Sequence, residues 1–237
     1  MTLLASPPKA RISRRHFLAA GACAAGGLAL YAGEIERHAT QITHRDAVIP
    51  GLPAAFEGFR VVQLSDIHLD EFTEPYYLRD AVADINRLAP DAVFLTGDYV
   101  THEIGTRKFA VGAAWQCADI LKTLKCRQVY AILGNHDVMV SGREVTQAFT
   151  SNGIPMLVNS NLPLERNGAR IWLAGIDDPV CGQPDPDGAI PAGIRHIPRE
   201  PIVLLCHAPD YANQLVAHPA GQAVALMLSG QIGRAHV

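Results

Sequence analysis

An α/β fold follows from three features of the sequence. Short apolar runs that read as buried strands, RVVQLS (60–65), AVFLT (92–96), QVYAIL (128–133) and IVLLC (202–206), alternate with longer segments of helical periodicity. Each run is followed by small, acidic, amide or imidazole residues, which suits parallel strands whose carboxyl ends gather a ligand. Apolar residues make up 49% of the 237 and charged residues 18%, enough to fill an α/β core and too few charges for a disordered chain.

At the start, Ser13-Arg14-Arg15-His16-Phe17-Leu18 precedes an uncharged stretch to Gly33, the layout of a basic n-region and an h-region. Paired arginines with Phe and Leu soon after them resemble the twin-arginine export signal, which carries proteins already folded. A metal enzyme exported this way loads its metal in the cytoplasm. The stretch is slightly shorter than the roughly 20 apolar residues of a spanning helix. Leu30-Tyr31-Ala32 is a poor cleavage site, so a cleaved signal and a retained membrane anchor both stay open. Residues 1–33 are therefore read as signal or anchor, 34–45 as a polar linker, 46–230 as one catalytic domain and 231–237 as a non-native tail. The expected location is periplasmic, or membrane-associated on the outer face of the inner membrane.

Within the domain, residues 75–88 carry apolar side chains at Leu78, Ala81, Val82, Ile85 and Leu88, the stripe of a helix. A second helix is predicted over 107–124 and a short one over 143–151. Further strands are predicted over 156–158, 170–176 and 224–228. Six prolines between residues 177 and 201 predict a long irregular loop.

The net charge of −3 comes with scattered Lys and Arg, which excludes the basic track a nucleic-acid partner needs. Five cysteines with no CxxC spacing indicate neither a disulfide framework nor a thiolate zinc site.

The chemistry lies after the strands. Asp66-Ile67-His68 follows the first, Gly97-Asp98 the second, Gly134-Asn135-His136-Asp137 the third, and His207 follows IVLLC. Each alone is a common turn or cap. Four strand ends that each offer oxygen or imidazole are a cation site, and a site without thiolate suits Mn, Fe or Zn. Asn is a proper ligand for a hard cation through its amide oxygen. Asp177-Asp178 could reach the site from a neighbouring strand end, but reads first as a cap of the Pro-rich loop.

The blocks SDIHLD, GDYV, GNHD and the strand-borne His207 resemble the successive signatures of the calcineurin-like metallophosphoesterases, over roughly residues 60–230. With the lead-in VIPGLPAAFEGFRVVQLSDIHLD, the chain is most similar to the twin-arginine-exported phosphodiesterases of the YkuE and YaeI type. The resemblance implies a four-layer αββα sandwich and two divalent cations, with Mn favoured. Asp66 and His68 would hold the first cation, Asp98 would bridge, and Asn135 and His207 would hold the second. Water activated between the cations would attack a phosphomonoester or phosphodiester, and His136 would protonate the leaving oxygen.

Two departures stand out. Protein phosphatases of the superfamily continue GDYV into Asp-Arg-Gly, where this chain has Thr101-His102-Glu103, which disfavours a phosphoprotein substrate. The family's closing Gly-His-Thr-His-Gly-Gly-Gln block is replaced after Gly230 by QIGRAHV, one back-translation of which reads as sequencing-adapter DNA. The sandwich is thus expected to be C-terminally truncated, each cation to lack one ligand, and activity of this copy to be impaired. The alternative is a non-catalytic envelope-binding protein that keeps the fold. Lipid-linked phosphates, wall phosphodiesters and simple organic phosphates are all candidate substrates.

Overall fold

The computed structural model describes residues 13–30, 41–69, 75–102 and 107–230. The first helix, α1, spans Arg14–Leu30, and all its side chains that are described are exposed. Among the described residues no helix is long and apolar enough to cross a membrane. Most of the expected linker, the start of the signal and the tail 231–237 lie outside the described residues.

Residues 46–230 carry the sheets. Strands β1 (Val61–Leu64), β2 (Ala92–Leu95) and β3 (Val129–Ala131) form a parallel sheet in the order β1-β2-β3. Strands β4 (Ser160–Arg166), β5 (Ala169–Gly175), β6 (Ile202–Leu205) and β7 (Val224–Leu228) form a second sheet in that order, antiparallel at β4-β5 and parallel beyond. Helices α2 (Pro75–Leu88), α3 (Arg107–Leu121) and α4 (Asn135–Ser151) belong with the first sheet.

The layering follows from the two-residue period of the strands. Val93 and Leu95 of β2, with Val129 and Ala131 of β3, pack against Leu78, Val82, Cys117, Leu121 and Phe149 of the helices. The alternate residues Ala92 and Phe94, with Ile132 just past β3, meet Ile171 and Leu173 of β5 and Val203 and Leu205 of β6, closing the two sheets on each other. The outer face of the second sheet, Ala174, Ile202 and Leu204, is covered by Ile190, Ile194, Tyr211 and Leu215 from short helical segments. Four layers, αββα, result, as the resemblance implied. Each fully buried Leu, Ile, Val or Phe contributes about 1.5–3 kcal/mol relative to exposure, so the inter-sheet core is a principal support of the strand ends.

The structure differs from the sequence expectations in four places. The helix expected over 143–151 begins at Asn135, directly on the GNHD block, and bends at Ser141, where the backbone leaves helical values. The strand expected over 156–158 makes only a single parallel bridge, Met156 to Ala131. Strand β4 was not foreseen. It pairs with β5 through a two-residue Asn167-Gly168 turn, both at positive φ (49° and 78°), a tight-hairpin signature. Pro163 is tolerated there because β4 is an edge strand. The Pro-rich loop is not wholly irregular, since α5 (Pro186–Ala189) is capped by the Asp185 carboxylate and a 3-10 turn follows at Ala192–Ile194.

Candidate metal centre

All six residues singled out in the sequence occupy the carboxyl ends of β1, β2, β3 and β6. Asp66, His68 and Asp98 adopt left-handed backbone conformations (φ 55°, 47° and 55°) that non-glycine residues rarely take. Such conformations cost of order 1–3 kcal/mol each and persist where the surroundings enforce them. Here the β1 loop is laced to the β2 loop: Asp66 N donates to Gly97 O (3.0 Å), His68 N to Asp98 O (3.0 Å) and Leu69 N to Tyr99 O (2.8 Å).

Two trios of side chains each bring one ligand atom within 4.8 Å of the others: His68, Asp98 and His136, and Asp66, Asp98 and His207. Asp98 belongs to both. Its Oδ1 accepts the backbone N–H of His136 at 2.9 Å, at the start of α4, where the helix dipole favours negative charge. Its Oδ2 lies 3.5 Å from His68 Nε2 and 3.2 Å from His207 Nε2. Burial works against the charge of Asp98, but His207, the His136 N–H and the His136 ring outweigh it and hold its pKa below the usual carboxylate value. The Asp66 and His68 side chains are 35% exposed, whereas Asp98 and His207 are sealed, so the centre has a closed floor and an open mouth.

Unsatisfied atoms test whether cations fit. His207 Nδ1 is 2.7 Å from the Thr96 carbonyl, which can only accept, so Nδ1 carries a proton and Nε2 of the neutral ring presents a lone pair. Nε2 lies 3.2 Å from Asp98 Oδ2, and in the neutral ring it has no proton to donate there. Asn135 Oδ1 is likewise buried without a partner. Each stranded buried acceptor costs about 1–3 kcal/mol. A divalent cation would satisfy both, and an oxygen and imidazole donor set suits Mn, Fe or Zn. Burial disfavours a charged His207, yet Asp98 overcomes it and pushes the imidazole up to about 9. Proton and cation therefore compete for one lone pair.

His136 lies edge-on to His68, with ring centroids 4.8 Å apart. The backbone N–H of His102 donates to its Nδ1 at 2.9 Å, placing the ring proton on Nε2. Burial, opposed by Asp98 and aided by neighbouring histidines, lowers its pKa.

Two further acidic residues stood outside the predicted ligand set. Asp137, fully buried, accepts from Gly134 N (2.9 Å), Asp98 N (2.8 Å), Tyr99 N (2.9 Å) and Val100 N (3.3 Å), binding the β2 loop to α4. Burial pushes this carboxyl up to about 7 against the pull of those donors. Asp178 is the other. Asp177 serves the Pro-rich loop as expected, accepting from Asp178 N and Gln183 N, but Asp178 is fully buried and only half committed to that loop.

The sequence model of one family, Calcineurin-like phosphoesterase, matches residues 59–230, the span that carries every one of these side chains. The chain belongs to that family. It is therefore a member of a family of metal-dependent phosphoric ester hydrolases, as the motifs implied. The metallophosphoesterase YkuE of Bacillus subtilis is 31% identical over 230 residues, covering 93% of this chain and 76% of its own. Phosphodiesterase YaeI of Escherichia coli is 29% identical over 209 residues, covering 84% and 71%. The UDP-2,3-diacylglucosamine pyrophosphatase LpxG of Chlamydia muridarum is 28% identical over 113 residues, covering 46% of this chain and 31% of the relative.

Proposed function

We propose that this metallophosphoesterase hydrolyses a phosphomonoester or phosphodiester at the cell envelope using two divalent cations, Mn favoured. The observation that carries the reading is a carboxylate, Asp98, shared by two ligand trios beside Asn135 Oδ1, a buried acceptor without a partner. Asp66 and His68 would hold one cation, Asn135 and His207 the other, with Asp98 between them. When bound, the cations would neutralise the phosphoryl oxygens and lower the pKa of attacking water.

The protein's own groups supply the rest. His136 would donate a hydrogen bond from its Nε2–H to the departing oxygen, its ring oriented by the His102 main chain. The half-exposed Asp66 and His68 border the opening through which substrate enters. The twin-arginine-like start supports export, and the diacylglucosamine substrate in the name of LpxG supports a lipid-linked phosphate as one candidate.

The test is hydrolysis of a chromogenic phosphodiester by the purified chain. The rate, however low, rises with Mn²⁺ and disappears in chelator, in Asp98→Ala and in Asn135→Ala. Equal turnover under all these conditions would refute the mechanism.

A further inference from the structure

Among the described residues, three buried side-chain acceptors have no hydrogen-bond partner: Asn135 Oδ1, His207 Nε2 and Asp178 Oδ1. The first two are the atoms assigned above to one cation. The third belongs to a residue with no role in that assignment. Asp178 is 0% exposed, and its position is fixed by the sheet. β5 and β6 run parallel with Gly175 opposite Leu205, and Ile176 N donates to Leu205 O, so Asp178 and His207 leave adjacent strand ends.

The two carboxylate oxygens of Asp178 are used differently. Oδ2 accepts from Val180 N (2.9 Å) and Cys181 N (2.7 Å), which fastens the start of the Pro-rich loop. Capping needs only this oxygen, and the neighbouring Asp177 already ties the loop at Gln183. Oδ1 is left bare inside the protein, and its carboxyl lies within electrostatic reach of both His207 and Asp98. A lone buried carboxylate oxygen is costly without a cation or a donor. Water in a cation's shell supplies donors, and carboxylates in this position orient what the direct ligands hold.

We propose that Asp178 is a positioning residue of the metal centre: its Oδ1 accepts a hydrogen bond from water in the shell of the cation held by Asn135 and His207. The inference rests on the proposed two-cation reading and adds a fifth strand end, that of β5, to the site.

The test is Mn²⁺ binding to the whole chain, followed by electron paramagnetic resonance of free Mn²⁺, with urea unfolding in chelator as the folding control. Asp178→Asn keeps an oxygen for the Val180 and Cys181 N–H groups and turns the bare acceptor into a donor. It should unfold like the parent in chelator and bind Mn²⁺ about 10–100-fold more weakly, the usual loss for an outer-shell partner. Asp177→Asn disturbs the same loop and should bind within about twofold of the parent, since its oxygens serve only the loop. If Asp178→Asn does not fold, Asp178→Ser, whose hydroxyl keeps the turn, is read in its place with the same expected loss. Parent-like affinity at position 178, or equal weakening by the position 177 variant, overturns the inference and leaves the metal centre standing. A parent chain that binds no Mn²⁺ overturns both.

Discussion

The carboxylate of Asp137 holds the main chain of Asp98, its Oδ2 accepting the Asp98 N–H at 2.8 Å while the Asp98 side chain receives the N–H of His136. The two acidic residues thus exchange support: one fixes the loop that carries the other, and the other caps the helix that carries the first. Asp137→Asn places an amide N–H against one pair of these donors. Each N–H stranded in this way costs about 1–3 kcal/mol. The variant should unfold at distinctly lower urea and bind Mn²⁺ more weakly, because the Asp98 loop loses its tether. Unchanged urea midpoint and affinity would show that Asp137 does not organise the site.

Backbone proximity makes a second prediction. A Cβ at Gly134 would lie 2.3 Å from Asp98 Oδ1 and 2.5 Å from Asp98 N. Gly134→Ala therefore forces the shared carboxylate aside with no change in charge. Overpacking of this kind costs about 1–3 kcal/mol. The diagnostic result is a loss of Mn²⁺ affinity larger than the loss of stability in chelator explains.

His136 shares a trio with His68 and Asp98 and also presents an Nε2–H, so ligand and hydrogen-bond donor are separable roles. As hydrogen-bond donor to the leaving oxygen, its replacement by Ala should lower kcat by about 10²–10³-fold. Mn²⁺ affinity should stay close to that of the parent. A matching collapse of affinity would reassign His136 to the cation.

Much of this was legible because parallel strands deliver side chains at their carboxyl ends, and RVVQLS, AVFLT, QVYAIL and IVLLC could be located from apolar runs alone. What was hidden is local. Asn135, His136 and Asp137 of GNHD look alike as loop polar groups, and nothing in their order says that Asp137 turns inward to the backbone while Asn135 keeps a bare oxygen. Pro163 concealed β4, because proline marks a break unless a strand lies at an edge. The left-handed conformations of Asp66, His68 and Asp98 are enforced by the neighbouring loop rather than by residue type, so the sequence carries no sign of them.

The export reading makes a prediction independent of chemistry. In a bacterium with a working twin-arginine pathway, the intact chain should reach the envelope fraction. Replacing Arg14 and Arg15 together by Lys should leave it in the cytoplasm, still folded and able to bind Mn²⁺. Envelope recovery of the double variant at the parent level would remove the twin-arginine assignment without touching the metal centre.

Cation loading should stabilise the fold by more than a surface ion would. Without a cation, Asn135 Oδ1 is stranded, His207 carries a second ring proton below about pH 9, and left-handed strain is held at Asp66, His68 and Asp98. A ligand bound only by the folded state adds RT ln(1 + [L]/Kd), about 2.7 kcal/mol at a concentration 100 times Kd. Mn²⁺ should therefore raise the thermal midpoint by several degrees in the parent and much less in Asp98→Ala, where both trios are broken. Acidification should weaken the effect, because the proton that His207 holds up to about pH 9 without a cation occupies the same lone pair and becomes harder to displace as pH falls. A midpoint that Mn²⁺ shifts equally in the parent and in Asp98→Ala would mean that the ion binds elsewhere.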